Sequence, residues 1–280
     1  MPFTVSSQLI QQQVEQALNE DIGSGDVTAA LLPADKPITA TVISRQNAVI
    51  AGCDWFEEVF HQLDSSIGIH WHCADGDRVE QDQIICELQG SVRPVVTGER
   101  AALNFLQTLS GTATTTRRYV DRIIGTGAQV LDTRKTLPGL RLAQKYAVSC
   151  GGGSNHRIGL YDMVLIKENH ITAAGSILNA VKTARRLSPK LEIEVEVENL
   201  EQLDQALEAG VERILLDNMS LKTLRQAVTL NSSRAKLEAS GGITFDNIRD
   251  VAETGVDFIS VGALTKDVQA VDLSMRIKED

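Results

Sequence analysis

Residues 191–218, LEIEVEVENLEQLDQALEAGVERILLDN, decide the fold. The first eight alternate strictly, placing Glu192, Glu194, Glu196 and Glu198 on one face of a strand and Ile193, Val195 and Val197 on the other. Helical spacing follows over Leu200–Ala209, and the apolar run Arg213–Asp217 reads as a second strand. Strand, helix and strand within about thirty residues is the pattern of parallel strands joined by a right-handed crossover. If the apolar face of the first strand meets outer helices, its glutamates line a barrel, where buried carboxylates need Lys, Arg or a divalent metal. A solvated edge strand would show the same alternation.

The pattern repeats on both sides of this stretch. Candidate strands are 129–133, 162–166, 191–197, 213–217, 236–240 and 257–261; candidate helices are 137–148, 172–187, 200–209, 221–230 and 245–254. Such alternation predicts an α/β fold, either a β/α barrel or an open doubly wound sheet. No Gly-x-Gly-x-x-Gly follows the first strand, which counts against a dinucleotide fold. The strand ends favour the barrel, because function collects at the C-terminal ends of barrel strands. Here they read Thr133-Arg134-Lys135, Lys167-Glu168-Asn169-His170, Glu196-Val197-Glu198, Asp217-Asn218, Ser240-Gly241-Gly242 and Gly262-Ala263.

Upstream the grammar differs. Residues 8–19 have the spacing of a short amphipathic helix, and Glu20–Thr28 is dense in turn formers and reads as a connector. Short β-rich runs over 38–98 predict a small antiparallel sheet with a helix over 54–63. Asp75-Gly76-Asp77-Arg78-Val79 looks like the turn of a biotinyl or lipoyl carrier domain but offers no lysine, so the region reads as structural. A helix is predicted from Thr97-Gly98-Glu99-Arg100 to about residue 124, with Arg100 in its first turn, where the dipole disfavours a cation.

With 280 residues, 42% hydrophobic and 23% charged, the chain has room for a barrel and a smaller partner domain. An aromatic content of 4% and a net charge of −10 argue against nucleic-acid binding. The first residues lack the pattern of a secretory signal and no apolar run reaches membrane-spanning length, so a soluble cytoplasmic enzyme with no membrane partner is expected. Cys53, Cys73, Cys86 and Cys150 form no C-x-x-C pair and read as structural thiols.

Against that acidity, residues 131–170 carry six basic and three acidic side chains, net +3. Arg134, Lys135, Arg141, Lys145, Arg157 and Lys167 around a Gly-Gly-Gly turn point to a pocket for a small anion; a solvated helix face is the alternative. Arginine binds carboxylate bidentately, so several arginines with His156 suit a dicarboxylate. Ser240-Gly241-Gly242 and the Gly262 loop, each before a helix, read as a phosphate site. Glu196 and Asp217 make a hard-oxygen pair suited to Mg²⁺ or ribose hydroxyls.

Thr133-Arg134-Lys135-Thr136-Leu137-Pro138-Gly139-Leu140-Arg141, Lys145-Tyr146-Ala147-Val148, Gly151-Gly152-Gly153-Ser154-Asn155-His156-Arg157 and Lys167-Glu168-Asn169-His170 closely resemble the quinolinate phosphoribosyltransferases. The likeness extends to Glu20-Asp21, Gly25-Asp26, Glu99-Arg100, Asn104-Phe105-Leu106, Ser110-Gly111, Glu194–Glu196, Asp217-Asn218 and Ser240-Gly241-Gly242-Ile243. The resemblance implies an N-terminal α/β sandwich, residues 1–112, and an incomplete, seven-stranded TIM-like β/α barrel, residues 113–280, whose C-terminal end is able to pack back on the first domain. It implies a homodimer with shared sites, Arg100 being delivered to the partner's site. Arg134, Lys135, His156 and Arg157, with Thr133, would bind the dicarboxylate, and Lys167 would reach phosphate oxygens. Glu196 and Asp217 would serve the ribose and Mg²⁺, while Ser240, Gly241, Gly242 and Gly262 would hold the 5-phosphate. Lys135, Lys167, Glu196 and Asp217 are the implied catalytic set. The implied reaction, in NAD biosynthesis, is glycosyl transfer from phosphoribosyl pyrophosphate to quinolinate with loss of CO₂, giving nicotinate mononucleotide and pyrophosphate.

Three other readings stay open on the residues alone. A Schiff-base barrel lyase would use Lys135 or Lys167, which would need an apolar setting. A non-catalytic anion-binding module would bind without turnover. The molybdenum-associated homologue of the transferase shares much of the pattern.

Overall fold

A computed structural model describes residues 3–278. In chain order the helices and strands are α1 (Ser7–Ile22), β1 (Pro37–Ser44), β2 (Ala48–Val49), α2 (Cys53–Leu63), β3 (Gly68–Trp71), β4 (Arg78–Val79), β5 (Ile84–Ser91), α3 (Val92–Arg122) and β6 (Gln129–Leu131). There follow α4 (Arg141–Cys150), β7 (Val164–Ile166), α5 (Glu168–Ala174), α6 (Ile177–Leu187), β8 (Ile193–Val197), α7 (Leu200–Glu208), β9 (Arg213–Asp217) and α8 (Leu221–Asn231). The last are β10 (Lys236–Ser240), α9 (Ile248–Ala252), β11 (Phe258–Ser260), α10 (Ala263–Lys266) and β12 (Leu273–Ile277). The chain divides into two compact units: residues 1–117, 137–152 and 267–280 form the first, residues 118–136 and 153–266 the second. The sequence places one boundary at 112/113; in the structure α4 and β12 group with the first unit.

In the first unit β12, β1, β5 and β3 form an antiparallel sheet in that order. Its core gathers Trp55, Phe56 and Phe60 of α2, Leu88 of β5, Leu103, Leu106 and Leu109 of α3, and Ala143 and Ala147 of α4. Ile10, Val14 and Leu18 bury one stripe of α1, whose N-terminus is capped by Ser6. The Asp75 hairpin proves structural. Its carboxylate accepts the Gly52 and Cys53 amides at the start of α2 (3.0 and 3.2 Å) and the Tyr146 hydroxyl of α4 (2.7 Å). All four cysteines are free, and burial raises every thiol pKa, Cys73 to about 11 and Cys150 to about 12, so the thiols are inert near neutrality.

The long helix corrects one expectation. It opens at Val92, with Pro94 in its first turn, and passes through Gly98 and Gly111 without a break. Arg100 therefore lies just over two turns (about 3.6 residues each) from the start, beyond the first turn to which the dipole argument for a misplaced cation applies. The two glycines serve close packing. A Cβ on Gly98 would sit 2.8 Å from the Phe60 ring, and one on Gly111 would sit 2.2 Å from the Gln269 carbonyl oxygen.

In the second unit six parallel strands run in the order β6-β11-β10-β9-β8-β7. The seventh strand implied by the resemblance is reduced to one residue. Ser154 bridges Leu131 in parallel on the free side of β6, donating its amide to Val130 (2.8 Å) and accepting that of Asp132 (3.2 Å). Two predicted helices change. The 172–187 stretch splits at Gly175 (φ 81°), after which Ser176 caps α6. The 245–254 helix shrinks to α9, because Thr244 and Asn247 bond each other's amides (2.9 and 3.3 Å) in a turn ahead of it.

Replacing Gly111 by Ala is expected to lower stability by about 1–3 kcal/mol through overpacking against backbone. Gly127→Ala, where a Cβ meets nothing within 4 Å, is the near-neutral control. Urea unfolding midpoints of the two variants check this.

Candidate active site

The C-terminal ends of the parallel strands surround a cavity of about 460 Å³. Thr133, Arg134 and Lys135 enter it after β6, Lys167 after β7, Glu196 from β8, Asp217 from β9 and Ser240 from β10, with His156 and Arg157 beside them. Leu165, Leu215, Glu238 and Ser260 complete the lining. The Glu-rich strand points as the alternation predicts at its centre. Glu194 is buried and Glu196 half-buried in the barrel, while Glu192 and Glu198 at the ends are exposed.

Two aspartates fix the segment bearing His156 and Arg157. Buried Asp132 accepts the His156 amide (2.9 Å) and the Asn155 side-chain amide (2.6 Å), and Asp162 accepts the Ile158 and Gly159 amides (2.7 and 2.9 Å). Bracketed in this way, 155–159 needs no regular structure to hold its place. Arg157 has its pKa lowered by burial and then by the nearby Arg134 guanidinium, with Glu194, Asp162 and Glu196 opposing. Two guanidiniums repelling each other in a half-buried cavity create a site that an anion relieves. Lys167, also in the lining, pairs with Glu196, and Asp217 adds a second carboxylate. The lining thus carries both signs.

His156 and Glu238 of the lining also belong to a buried cluster that the sequence reading touches only in part. Glu194, Glu238 and Arg213 are buried, and Arg213 pairs with both carboxylates, its Nε 3.0 Å from Glu194 Oε1. His156 Nε2 stands 3.0 Å from Glu194 Oε2 and 3.5 Å from Glu238 Oε2. Burial raises the Glu194 pKa to about 7 against the pull of Arg213; Glu238 is raised by burial and then by Glu194. Only Glu194 was signalled, by alternation. Arg213 and Glu238 stand at inward positions of β9 and β10, but runs of five residues with a charge at or near one end read equally as solvated termini.

Other expected residues fall elsewhere. Arg100 is exposed on α3 of the first unit. Arg141 and Lys145 lie on α4, also in the first unit, and Lys145 is buried. Gly241 and Gly242 line a second cavity, of about 360 Å³, with Asn218, Leu224 and Asn247; Ser240 borders both cavities. Gly241 has φ 87° and a Cβ there would meet Asn218 Oδ1 at 2.2 Å, so the backbone comes close because it is glycine. The amides expected from a helix at Phe245 are not those of a helix start, since α9 begins at Ile248. Gly262 packs on Lys135, with 3.3 Å from its notional Cβ to Lys135 Cδ, and Thr265 donates to the Lys135 carbonyl (2.7 Å). His170 accepts the Lys167 amide (3.0 Å) and closes the first turn of α5. Among the described residues no helix is long and apolar enough to cross a membrane.

A parallel β/α sheet whose strand ends gather a guanidinium pair and carboxylates in one cavity is the architecture of a β/α barrel with its site at the strand ends. Comparison with known proteins narrows the class. Residues 112–276 match the model of the quinolinate phosphoribosyl transferase C-terminal domain, and residues 26–110 that of the N-terminal domain. A probable nicotinate-nucleotide pyrophosphorylase (carboxylating) of Bacillus subtilis is 42% identical over 270 residues, 95% of this chain and 93% of that one. The nicotinate-nucleotide pyrophosphorylase (carboxylating) of Mycobacterium leprae is 42% identical over 94% of this chain and 95% of its own. The solved nicotinate-nucleotide pyrophosphorylase of Francisella tularensis superposes with a TM-score of 0.97 at 47% identity, covering 99% of each chain. The chain belongs to the quinolinate phosphoribosyltransferase family.

The raised Glu194 carboxyl carries a stability consequence. The folded chain keeps a proton that the unfolded chain releases near pH 4.5, so this contribution is present at low pH and is lost as pH climbs toward about 7. Urea unfolding at about pH 5 and about pH 8 should therefore show a decline that Glu194→Gln flattens.

Proposed function

We propose that this chain is a quinolinate phosphoribosyltransferase that takes quinolinate and phosphoribosyl pyrophosphate to nicotinate mononucleotide, pyrophosphate and CO₂. The observation that carries the reading is the bipolar cavity, whose lining brings together Arg134 and Arg157 with Glu196 and Asp217. The guanidiniums suit two adjacent carboxylates, and the acids suit ribose hydroxyls and tolerate positive charge growing at C1. The pyridine nitrogen gives its lone pair to C1 as the C1–O bond to pyrophosphate breaks. The 2-carboxylate then leaves as CO₂, its electron pair remaining on C2 beside the cationic ring nitrogen until a proton replaces it. Lys135 and Lys167 supply positive charge to phosphate oxygens. No protein nucleophile enters, so the roles are positioning and electrostatics. The Schiff-base reading loses ground because Lys167 is ion-paired and Lys135 exposed, neither in an apolar setting.

Glu196 and Asp217 fit Mg²⁺, which favours one or two carboxylates together with substrate phosphates over an all-protein cage. Bound there, the ion would supply charge to the departing pyrophosphate. Ser240, Gly241, Gly242 and Gly262 are the proposed 5-phosphate cradle, through backbone amides rather than a helix end. Arg100, exposed and absent from the cavity lining, is proposed to complete the site of a second copy in a homodimer. Cytoplasm is the proposed location, on the likeness to bacterial relatives.

Purified protein is expected to release pyrophosphate and CO₂ only with quinolinate, phosphoribosyl pyrophosphate and Mg²⁺ all present; silence with the full set would overturn the reading and favour the molybdenum-associated homologue or a binding module. Arg157→Ala should raise KM for quinolinate by at least about tenfold. Mixed with Arg100→Ala protein under subunit exchange, it should recover activity through hybrid dimers carrying one intact site.

A further inference from the structure

The charged cluster that reaches the cavity through His156 and Glu238 is ordered in a way that the transfer chemistry alone does not require. Arg213, on β9, stands between β8 and β10 and holds Glu194 of one and Glu238 of the other; its guanidinium lies 4.2 Å from the Phe258 ring centroid. The carboxylates and His156 offer ligand atoms within 4.8 Å of one another, a set that could hold a metal ion. The guanidinium already pairs with both carboxylates, so an internal cation fills the role that a metal would take.

His156 has a partner or a charged neighbour at each ring nitrogen. Nδ1 accepts the Arg157 amide at 2.6 Å, which assigns the ring proton to Nε2, at ion-pair distance from Glu194 (3.0 Å) and Glu238 (3.5 Å). The chain of contacts runs from Arg213 through two carboxylates to an imidazole, and from that imidazole to the backbone of the arginine that enters the cavity. We infer that Arg213 is a positioning residue: through Glu194 and Glu238 it holds His156 in the Nε2–H tautomer and thereby fixes the Arg157 backbone on the cavity wall. Two buried carboxylates without their guanidinium would repel each other or draw in a proton, and in either case the acceptor geometry offered to His156 changes. The kinetic consequence rests on the transferase reading; the structural one does not.

The test uses full-length protein labelled with ¹⁵N-histidine, with no substrate present, as wild type, Arg213→Met, Arg213→Gln and Arg213→Lys. Long-range ¹H–¹⁵N spectra are expected to show His156 as a single Nε2–H tautomer in wild type, a tautomer lost in whichever neutral variant folds and restored in part by Arg213→Lys. In steady-state kinetics the neutral variants should raise KM for quinolinate about tenfold, leaving kcat within about twofold and KM for phosphoribosyl pyrophosphate unchanged. A folded neutral variant with an unaltered His156 spectrum would overturn the inference, as would a wild-type spectrum that changes on chelation, which would hand the role to a metal. Absence of turnover in the wild type would instead sink the transferase reading and leave the ring spectrum to decide the inference.

Discussion

The second unit depends on neutralising charge where water cannot. A barrel interior lined by apolar residues alone would fold readily but could not grip a polyanion, and one lined by carboxylates alone would repel it. Here Glu194 and Glu238 are withdrawn from solvent and one guanidinium answers both. Such a cluster contributes little net stability compared with an apolar core, yet removing one member leaves an uncompensated buried charge and costs on the order of 3–5 kcal/mol. Its worth lies in direction. Arg134, Lys135, Lys167, Glu196 and Asp217 stand at strand ends, while Arg157 stands on the segment that Asp132 and Asp162 hold in place.

Much of this was legible in the sequence because periodicity speaks plainly where strands are buried on both faces. The Glu-Ile-Glu-Val-Glu-Val alternation announced inward carboxylates, and the six strand ends announced a functional rim, seven of whose residues line one cavity. Other features were hidden for physical reasons. Arg213 opens its strand, a place where a charge ordinarily meets water, and only its register with Glu194 on β8 and its ion pairs to Glu194 and Glu238 show that it turns inward. Asp132 and Asp162 were visible as charges, but their work is to accept backbone amides, which leaves no trace in composition. Ser154 escaped because one bridging residue has no period.

Glycine plays two parts in this chain. The sequence places the start of α3 at Thr97-Gly98, yet the helix begins at Val92 and runs through Gly98 and Gly111, where a missing Cβ admits a neighbour rather than a bend. Gly175 and Gly241 have positive φ and do mark turns. The residue type is the same and only tertiary contact distinguishes the cases.

The path of the chain through α4 bears on modularity. Arg134 and Lys135 belong to one unit, α4 to the other, and His156 and Arg157 to the first of these again. The helix seats Ala143 and Ala147 in the core of the N-terminal unit and ties Tyr146 to the cap of α2, and β12 completes the sheet of that same unit. A gene fragment encoding the barrel would therefore carry an orphaned helix between its two cationic segments and an orphaned strand at its end. Cutting the barrel out as one contiguous stretch would thus strip both elements of their packing partners.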